Sequence, residues 1–185
     1  MSKGWFVTPG REGDRTLEQQ MFGLDAAVAA ARGGVVLDVG CAEALITMEF
    51  LRAGAREAVG VDNIAEHLKI AEKLRNEEQL PLSLVHANAN SWDPVVYAPH
   101  GGFDVVLLLA ILHKLKNPSD AARRYGAVAK KLCVVRLPPS GEIIRDERSG
   151  NEPHDISAAM ADVGLYLRDV VYGSYNEWIG YYARG

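Results

Sequence analysis

The fold of this chain is decided by Val35-Val36-Leu37-Asp38-Val39-Gly40-Cys41-Ala42-Glu43-Ala44-Leu45-Ile46 and, further on, by Ala58-Val59-Gly60-Val61-Asp62-Asn63. Each part begins with a short run of β-branched and other apolar residues, which is typical of a buried strand. The first run ends in a turn centred on Gly40, and the residues that follow favour a helix. Strand, tight turn, helix, strand and acid is the order of a nucleoside-binding βαβ unit. We therefore expect Gly40 to let the backbone approach a ligand and Asp62 to accept hydrogen bonds from ribose hydroxyls.

The turn does not carry the glycine pattern of a dinucleotide-binding site. Alternate residues from the first glycine are Gly40, Ala42 and Ala44, so the pyrophosphate-binding G-x-G-x-x-G is absent. A nicotinamide-dependent oxidoreductase is accordingly the weaker alternative, since Asp62 fits it but the glycines do not. Alanine also disfavours a positive φ angle, which such turns often require.

The string Val36-Leu37-Asp38-Val39-Gly40-Cys41 resembles the first motif of class I S-adenosylmethionine-dependent methyltransferases, and Asp62 follows at the spacing of that family. The cofactor of this family has no phosphate, so its loop need not cradle one. The resemblance implies a seven-stranded sheet whose last two strands form a hairpin, with S-adenosylmethionine as the cofactor. It covers nearly the whole chain from Val35 onward.

The rest of the chain alternates strand and helix patterns. Strand character marks Leu82 to His86, Phe103 to Leu109, Leu132 to Arg136, Tyr166 to Val171 and Glu177 to Tyr182, and helix character marks Ile64 to Asn76, Asn117 to Ala129 and Asp155 to Val163. This order predicts an α/β fold: a doubly wound, mostly parallel seven-stranded sheet between two helical layers, with a C-terminal antiparallel hairpin. A long charged loop is expected from Pro138 to about Pro153.

The first 33 residues form an addition ahead of this core. A capping box, Thr16-Leu17-Glu18-Gln19, predicts a helix with an apolar stripe that continues to Ala31 and stops at Gly33-Gly34. We expect this helix to lie across the sheet edge. The predicted organisation is thus an N-terminal segment and capping helix over residues 1–33 and a single methyltransferase-like domain over 34–185.

The composition of the chain argues against nucleic acid and membranes as its partners. The 185 residues carry a net charge of −4 and are 48% hydrophobic, which suits one buried core and gives no general attraction to nucleic acid. The longest apolar run, Val105 to Leu112, is too short for a membrane span. Cys41 and Cys133 fall in a ligand loop and an apolar strand, so no disulfide is expected and a cytoplasmic location is the default. The oligomeric state is not indicated.

The family resemblance, carried over residue by residue, implies the cofactor contacts. The backbone of Gly40, Cys41 and Ala42 would line the methionine part, with Asp38 near its amino group. Asp62 would hold the ribose, Asn63 or Ile64 would flank the adenine, and Asn88 would contact its amino group. The predicted cofactor-binding residues are Asp38, Gly40, Cys41, Ala42, Asp62, Asn63, Asn88, Ala89 and Ala110. Each polar side chain has a structural alternative: Asp62 as a helix cap, Asn88 as an ordinary turn residue and Asp38 as an acceptor for loop groups.

His113 follows the fourth strand of the predicted sheet and is the candidate general base, with a loop hydrogen bond as its alternative role. Lys114, Arg136 and His154 are candidates for binding an acidic substrate, or else ordinary surface residues. No Cys/His spacing for a metal is present. The Asn-Pro-Pro-aromatic string of enzymes that methylate DNA bases is absent, because Leu109-Ala110-Ile111-Leu112 occupies its place.

The sequence therefore predicts S-adenosylmethionine-dependent methyl transfer to an oxygen atom of a small-molecule, glycan or lipid-linked acceptor. The segment with Trp5, Phe6, Arg11 and Arg15 is expected to close over the cofactor and shape the acceptor site. The main alternative is a catalytically degenerate protein with the same fold that serves as a binding or scaffold subunit. Ala42, Ala44 and Asn88 are the substitutions that such a protein would carry.

Overall fold

The structure is a computed structural model that describes residues 4–7, 13–99, 101–139 and 152–185. In chain order its strands are β1 (Gly4–Phe6), β2 (Gly13–Arg15), β3 (Val35–Val39), β4 (Glu57–Asp62), β5 (Leu82–His86), β6 (Phe103–Leu109), β7 (Ala129–Leu137), β8 (Leu165–Tyr172) and β9 (Trp178–Arg184). The helices are α1 (Leu17–Met21), α2 (Asp25–Ala31), α3 (Leu45–Arg52), α4 (Ala65–Glu78), α5 (Pro118–Ala127) and α6 (Pro153–Ala161). Most of the predicted loop from Pro138 to Pro153 lies outside the described residues.

The main sheet has seven strands in the order β5-β4-β3-β6-β7-β9-β8. All neighbouring pairs are parallel except the two that involve β9, which runs antiparallel to β7 and β8. The strand order reverses between β3 and β6, so the chain winds outward in both directions from this point. The predicted doubly wound sheet with its C-terminal hairpin is confirmed.

Helices cover both faces of the sheet, so its central strands are buried on both sides. Val35, Leu37 and Val39 of β3 pack on the side of α5 and α6, whereas Val36 packs on the side of α2, α3 and α4. The predicted three-layer arrangement is confirmed. α2 packs over β6 and β7 near the middle of the sheet rather than across an outer edge.

The predicted single helix from Thr16 to Ala31 is wrong in one respect, since it is broken into α1 and α2. The capping box is confirmed: Thr16 Oγ1 accepts from the Gln19 amide, and Gln19 Oε1 accepts from the Thr16 amide. The break falls at Gly23, which has a φ of +78°. A Cβ there would lie 3.2 Å from Ile179 and Val171, so a long-range contact with the last two strands fixes a turn that helical periodicity does not reveal.

Candidate functional site

A cleft opens at the carboxyl ends of β3, β4 and β6, beside the point where the strand order reverses. It consists of two adjoining cavities of about 180 Å³ and about 140 Å³. Both are lined by Gly40, Asp62, Asn63, Ile111 and Lys114. Ligands of open α/β sheets bind at this kind of position. A larger cavity of about 520 Å³ lies at the opposite, amino-terminal edge of the sheet.

The turn after β3 has an unusual backbone. Gly40 has a φ of +80°, and Ala42 and Ala44 have φ values of +49° and +57°. The amides of Gly40 and Cys41 both donate to the carbonyl of Val61, at 2.7 and 3.0 Å, which holds the turn against the end of β4. The left-handed conformation costs an L-residue about 1–2 kcal/mol. The two alanines therefore adopt the conformation that glycine favours, at a cost in stability.

Replacing Ala44 with glycine is expected to change the unfolding free energy very little or to raise it slightly. Relief of the positive φ angle offsets the extra chain entropy of glycine, about 0.4–1 kcal/mol, and the loss of a buried methyl group, about 0.8 kcal/mol. The matched control is Ala122→Gly, at an equally buried helical position of α5, which is expected to cost about 2 kcal/mol. Urea denaturation measures both. Equal losses in the two variants would contradict the strain at Ala44.

Asp62 joins the two halves of the cleft. Its Oδ2 accepts a hydrogen bond from the Ala42 amide at 2.9 Å, and its Oδ1 accepts from the Ile64 amide at 2.8 Å. The N-cap residue of α4 is Ile64, which has no side-chain cap hydrogen bond, so Asp62 does not cap this helix as the alternative from the sequence expected. Its carboxylate instead holds two loop amides and lines both cavities. Each carboxylate oxygen accepts more than one hydrogen bond, so ribose hydroxyls can share it with these amides.

Two residues near this carboxylate were not predicted from the sequence: His67, beside Asp62, and Glu43, beside His67. His67 lines the larger of the two cleft cavities, with its Nδ1 3.8 Å from Asp62 Oδ1 and its Nε2 3.8 Å from Glu43 Oε1. Glu43 is fully buried. His67 lies in the first turn of α4, three residues after Ile64, and residues three apart lie on the same side of a helix. Because Ile64 was predicted to flank the cofactor, this spacing was the signal that could have identified His67.

The smaller cleft cavity is closed by the turn that follows β5. Asn88 and Ala89, two of the predicted cofactor-binding residues, line it together with Asn90. Asn88 Oδ1 accepts from the amide of Asn90 at 2.9 Å and from its side chain at 3.0 Å. Tyr125 of α5 donates to the Ala89 carbonyl at 2.7 Å. The oxygen expected to meet an adenine amino group is therefore already an acceptor within the turn.

Asp38 and Cys41 lie behind the cleft and line neither cavity. Asp38 Oδ2 accepts from the hydroxyl of Thr47 at 2.5 Å, which ties β3 to α3. Burial raises the pKa of the Asp38 carboxyl to about 6, with the Thr47 hydrogen bond opposing the rise. The Cys41 sulfur packs against Gly60 of β4, and burial raises the pKa of its thiol well above the usual range. Cys41 and Cys133 are buried and unbridged.

The raised pKa of Asp38 predicts a dependence of stability on pH. The folded protein holds this proton more tightly than the unfolded chain, so the contribution of Asp38 to the unfolding free energy is largest below pH about 4 and falls as pH rises through about 6. Asp38→Asn stays neutral. The stability of this variant relative to wild type should improve by about 2 kcal/mol between pH about 4 and about 7. Denaturant unfolding at several pH values tests this, and a constant difference would contradict it.

The short 3₁₀ turn Leu112–Lys114 follows β6. His113, the predicted general base, lines neither cavity, whereas its neighbour Lys114 lines both, and Ala110 lines the larger one with a φ of +54°. Desolvation lowers the pKa of the Lys114 ammonium, the nearby Asp62 opposes this and the charge of Arg15 adds to it. The Lys114 side chain is exposed to solvent, and it loses part of its hydration because it lines the cleft.

The other two basic candidates lie away from the cleft. Arg136 is only 1% exposed and donates to Gln20 Oε1 at 3.0 Å and to the Gln20 carbonyl at 2.7 Å, beneath α1. His154 is a surface residue 3.4 Å from Asp155 in the first turn of α6. Within the described ranges no group of three or more His, Cys, Asp or Glu residues is suited to a metal ion, and no helix is long and apolar enough to cross a membrane.

Comparison with protein families decides the identity of this arrangement. A family model described as a methyltransferase domain matches residues 36–131, slightly more than half of the chain and the part that contains the cleft. The chain belongs to this family. It is a class I methyltransferase, an enzyme that uses S-adenosylmethionine. A search of curated proteins gives no sequence match.

Solved structures show the same fold as this methyltransferase at low sequence identity. Magnesium protoporphyrin IX methyltransferase (ChlM) from Synechocystis PCC 6803, with bound SAM, is 18% identical, with a TM-score of 0.72 over 91% of this chain and 80% of the other. The N-terminal domain of EvdMO1, with SAH and D-fucose, is 15% identical, with a TM-score of 0.69 over 98% and 90%. The [4+2]-cyclase SpnF is 19% identical, with a TM-score of 0.65 over 95% and 68%.

Proposed function

We propose that this methyltransferase transfers the methyl group of S-adenosylmethionine to an oxygen atom of a small-molecule, glycan or lipid-linked acceptor. The observation that carries the proposal is the cleft beside β3, β4 and β6, in which Gly40 and Asp62 line both cavities. The net charge of −4 and the string Leu109–Leu112, which begins at the last residue of β6, support an acceptor other than a nucleic-acid base.

The residues of the cleft fit the cofactor. The positive φ of Gly40 brings the backbone close to the cleft without a Cβ, as a methionine chain lying along the turn requires. In this proposal Asp62 accepts from the ribose hydroxyls, and Asn63 and Ile64 flank the adenine. Asn88 and Ala89 form the far wall of the adenine site, and Ala110 lies on the side of the sulfonium. Asp38 and Cys41 act indirectly, by supporting the turn after β3.

Bound S-adenosylmethionine supplies an electrophilic methyl group on a sulfonium. The protein contributes alignment of the acceptor atom with this methyl group and exclusion of water. For a hydroxyl acceptor His113 is our proposed general base. Because its ring lines neither cavity, this role requires the turn Leu112–Lys114 to shift when the acceptor binds.

We also propose that the capped helix at Thr16 and the segment before it close over the cofactor and shape the acceptor site. Arg15 Nη1 lies 2.5 Å from Glu177 Oε1, and the Arg15 guanidinium lies 4.3 Å from the centre of the Tyr175 ring. The Ser174 hydroxyl donates to the carbonyl of Gln19 at 3.1 Å. These contacts dock the start of α1 on the turn between β8 and β9. Arg11 lies outside the described residues.

Deleting residues 1–15 is expected to lower turnover at least tenfold, because the Arg15 contacts and the covering segment are both lost. The measurement is steady-state release of S-adenosylhomocysteine together with calorimetric affinity for the same molecule. The matched point variant is Arg15→Gln, which removes the ion pair with Glu177 and keeps the rest of the segment. Unchanged affinity and turnover in the deletion would remove the proposed closure.

The acceptor atom is tested by methyl labelling. Wild-type enzyme is incubated with S-[methyl-¹³C]adenosylmethionine and sets of phenols, sugars, lipid-linked glycans and amines, and the product methyl signal is read by NMR. The proposal expects an O-methyl signal from a hydroxyl or carboxyl compound. A product labelled at nitrogen or sulfur would overturn O-methylation while keeping methyl transfer.

A second candidate is a catalytically degenerate protein that binds the cofactor and serves as a scaffold. It is favoured by the left-handed Ala42 and Ala44 and by the engaged Asn88 Oδ1. The structural match that is named a [4+2]-cyclase supports the view that this fold serves more than one activity. Binding of S-adenosylhomocysteine without transfer to any acceptor would favour this candidate.

A further inference from the structure

Charge is unevenly distributed around the cleft. On the side formed by β3, the turn after it and β4, the buried carboxyl side chains are Asp38, Glu43 and Asp62, with His67 beside two of them. On the side formed by β6, β7 and the N-terminal segment, the basic side chains are Lys114, Arg136 and Arg15, with Glu177 as their acidic neighbour. The two sides meet between β3 and β6, where the strand order reverses.

This distribution matches the charges of the reacting pair. S-adenosylmethionine has a sulfonium, an ammonium and one carboxylate, so its net positive charge suits the acidic side. In the proposed function the acceptor approaches the sulfonium from the side of Ala110, and the Lys114 ammonium is a positive charge on that side. An anionic acceptor would complement these charges, whereas a cationic acceptor would face repulsion from them and from the sulfonium.

Lys114 is the basic residue best placed to act on the acceptor. It lines the larger cavity together with Ala110, on the side that the proposed function gives to the sulfonium. The Arg136 guanidinium is buried under α1, and the Arg15 guanidinium lies over Tyr175 in the turn between β8 and β9. Lys114 is also accessible to solvent and lies in a concave surface, so a ligand can reach it without unfolding any element. A lysine ammonium binds carboxylate and phosphate groups as a mobile point charge.

We propose that the acceptor carries an anionic group, a carboxylate or a phosphate, and that Lys114 binds this group. The proposal rests on the proposed methyl transfer at this cleft and names the chemical class of its substrate. It concerns binding and orientation: the anion is held by the Lys114 ammonium so that the nucleophilic oxygen points toward the cofactor side.

The test uses the full chain saturated with S-adenosylhomocysteine and probes that differ only in charge. Calorimetry compares 4-hydroxybenzoate and 4-hydroxyphenyl phosphate with 4-hydroxybenzamide, and lactate with lactamide. Wild type is expected to bind at least one anion at least tenfold more tightly than its amide. Preference within the aromatic set then distinguishes a carboxylate from a phosphate.

Three variants assign the effect to one side chain. Lys114→Met is expected to lower anion affinity about tenfold to a hundredfold and to leave amide affinity unchanged. Lys114→Arg should keep most of the anion affinity. The matched control is Lys116→Met, an exposed lysine two residues further on, which should match wild type.

Separate measurements on the cofactor side keep the outcomes distinct. Affinities for S-adenosylhomocysteine and for 5′-methylthioadenosine, which lacks the amino-acid part, are measured for each variant. If Lys114→Met weakens only the former, Lys114 binds the cofactor carboxylate and the proposal is overturned. Equal binding of anions and amides, or no binding of any anion, also overturns it. If wild type binds no S-adenosylhomocysteine, the proposed function fails as well.

Discussion

Asp62→Ala is expected to weaken the binding of S-adenosylhomocysteine about a hundredfold or more. The carboxylate lines both cavities and is the proposed acceptor for the ribose hydroxyls, and hydrogen bonds to a charged group contribute about 1.5–3 kcal/mol. Its loss also frees the amides of Ala42 and Ile64, so the turn after β3 loses part of its support. Calorimetric titration of wild type and variant measures the change.

The matched control is Asp93→Ala. Asp93 is exposed and also accepts a hydrogen bond from the amide two residues ahead, that of Val95, but it lies outside the cleft. The Asp93→Ala variant should bind S-adenosylhomocysteine with the affinity of wild type. Asp62→Asn is a poorer control, because its Nδ2 would face one of the two backbone amides. A folded Asp62→Ala variant with wild-type affinity would place the cofactor elsewhere.

Arg136→Met is expected to lower the free energy of unfolding by about 3 kcal/mol. The guanidinium is almost fully buried, and removing it leaves the side-chain and backbone oxygens of Gln20 without their donor. The negative charge of Glu177 would also lose a buried positive neighbour. Because Gln20 belongs to α1, this helix should separate from the end of β7. Urea denaturation gives the change in stability, and hydrogen exchange of the α1 amides reports the separation.

The double variant Arg136→Met with Gln20→Leu is expected to recover part of the loss, because both polar partners are then replaced by apolar groups. Arg123→Met serves as the surface control, since Arg123 forms exposed ion pairs with Asp120 and Asp162, and such pairs contribute little. Wild-type stability of Arg136→Met would show that the buried guanidinium is not what holds α1 in place.

The parts of the fold that were predictable rest on local sequence patterns. β6 is a continuous apolar run buried on both faces, and it was predicted with the bounds that the structure shows. The edge strand β5 was also predicted with its observed bounds, although Ser83 and His86 interrupt its apolar pattern and are exposed. Gly40 comes directly after β3, and Asp62 is the last residue of β4. Parallel strands bring their carboxyl ends to one edge of the sheet. The cleft at this edge, with both residues lining it, was therefore predictable.

The parts that were not predictable depend on contacts between distant residues. The break at Gly23 is fixed by strands more than a hundred residues later, and no local pattern records them. Lys114 and Arg136 both follow apolar runs and look alike in sequence. The difference arises because α1 covers Arg136, which leaves Lys114 as the basic residue in the cleft. The contact of His67 with Glu43 likewise needed the geometry of the turn.

The docking of α1 on the C-terminal hairpin has a consequence for biosynthesis. Arg15 and Glu177 are 162 residues apart, and the Tyr181 hydroxyl that donates to the Gly23 carbonyl is 158 residues from its partner. Because synthesis runs from the amino end, Glu177 and Tyr181 are added long after Arg15 and Gly23, and β3, β4 and the turn between β3 and α3 are made in between. The nascent chain can therefore form the proposed cofactor half of its cleft before the proposed acceptor half. Until β8 and β9 have been synthesised, α1 lacks the hairpin on which it packs.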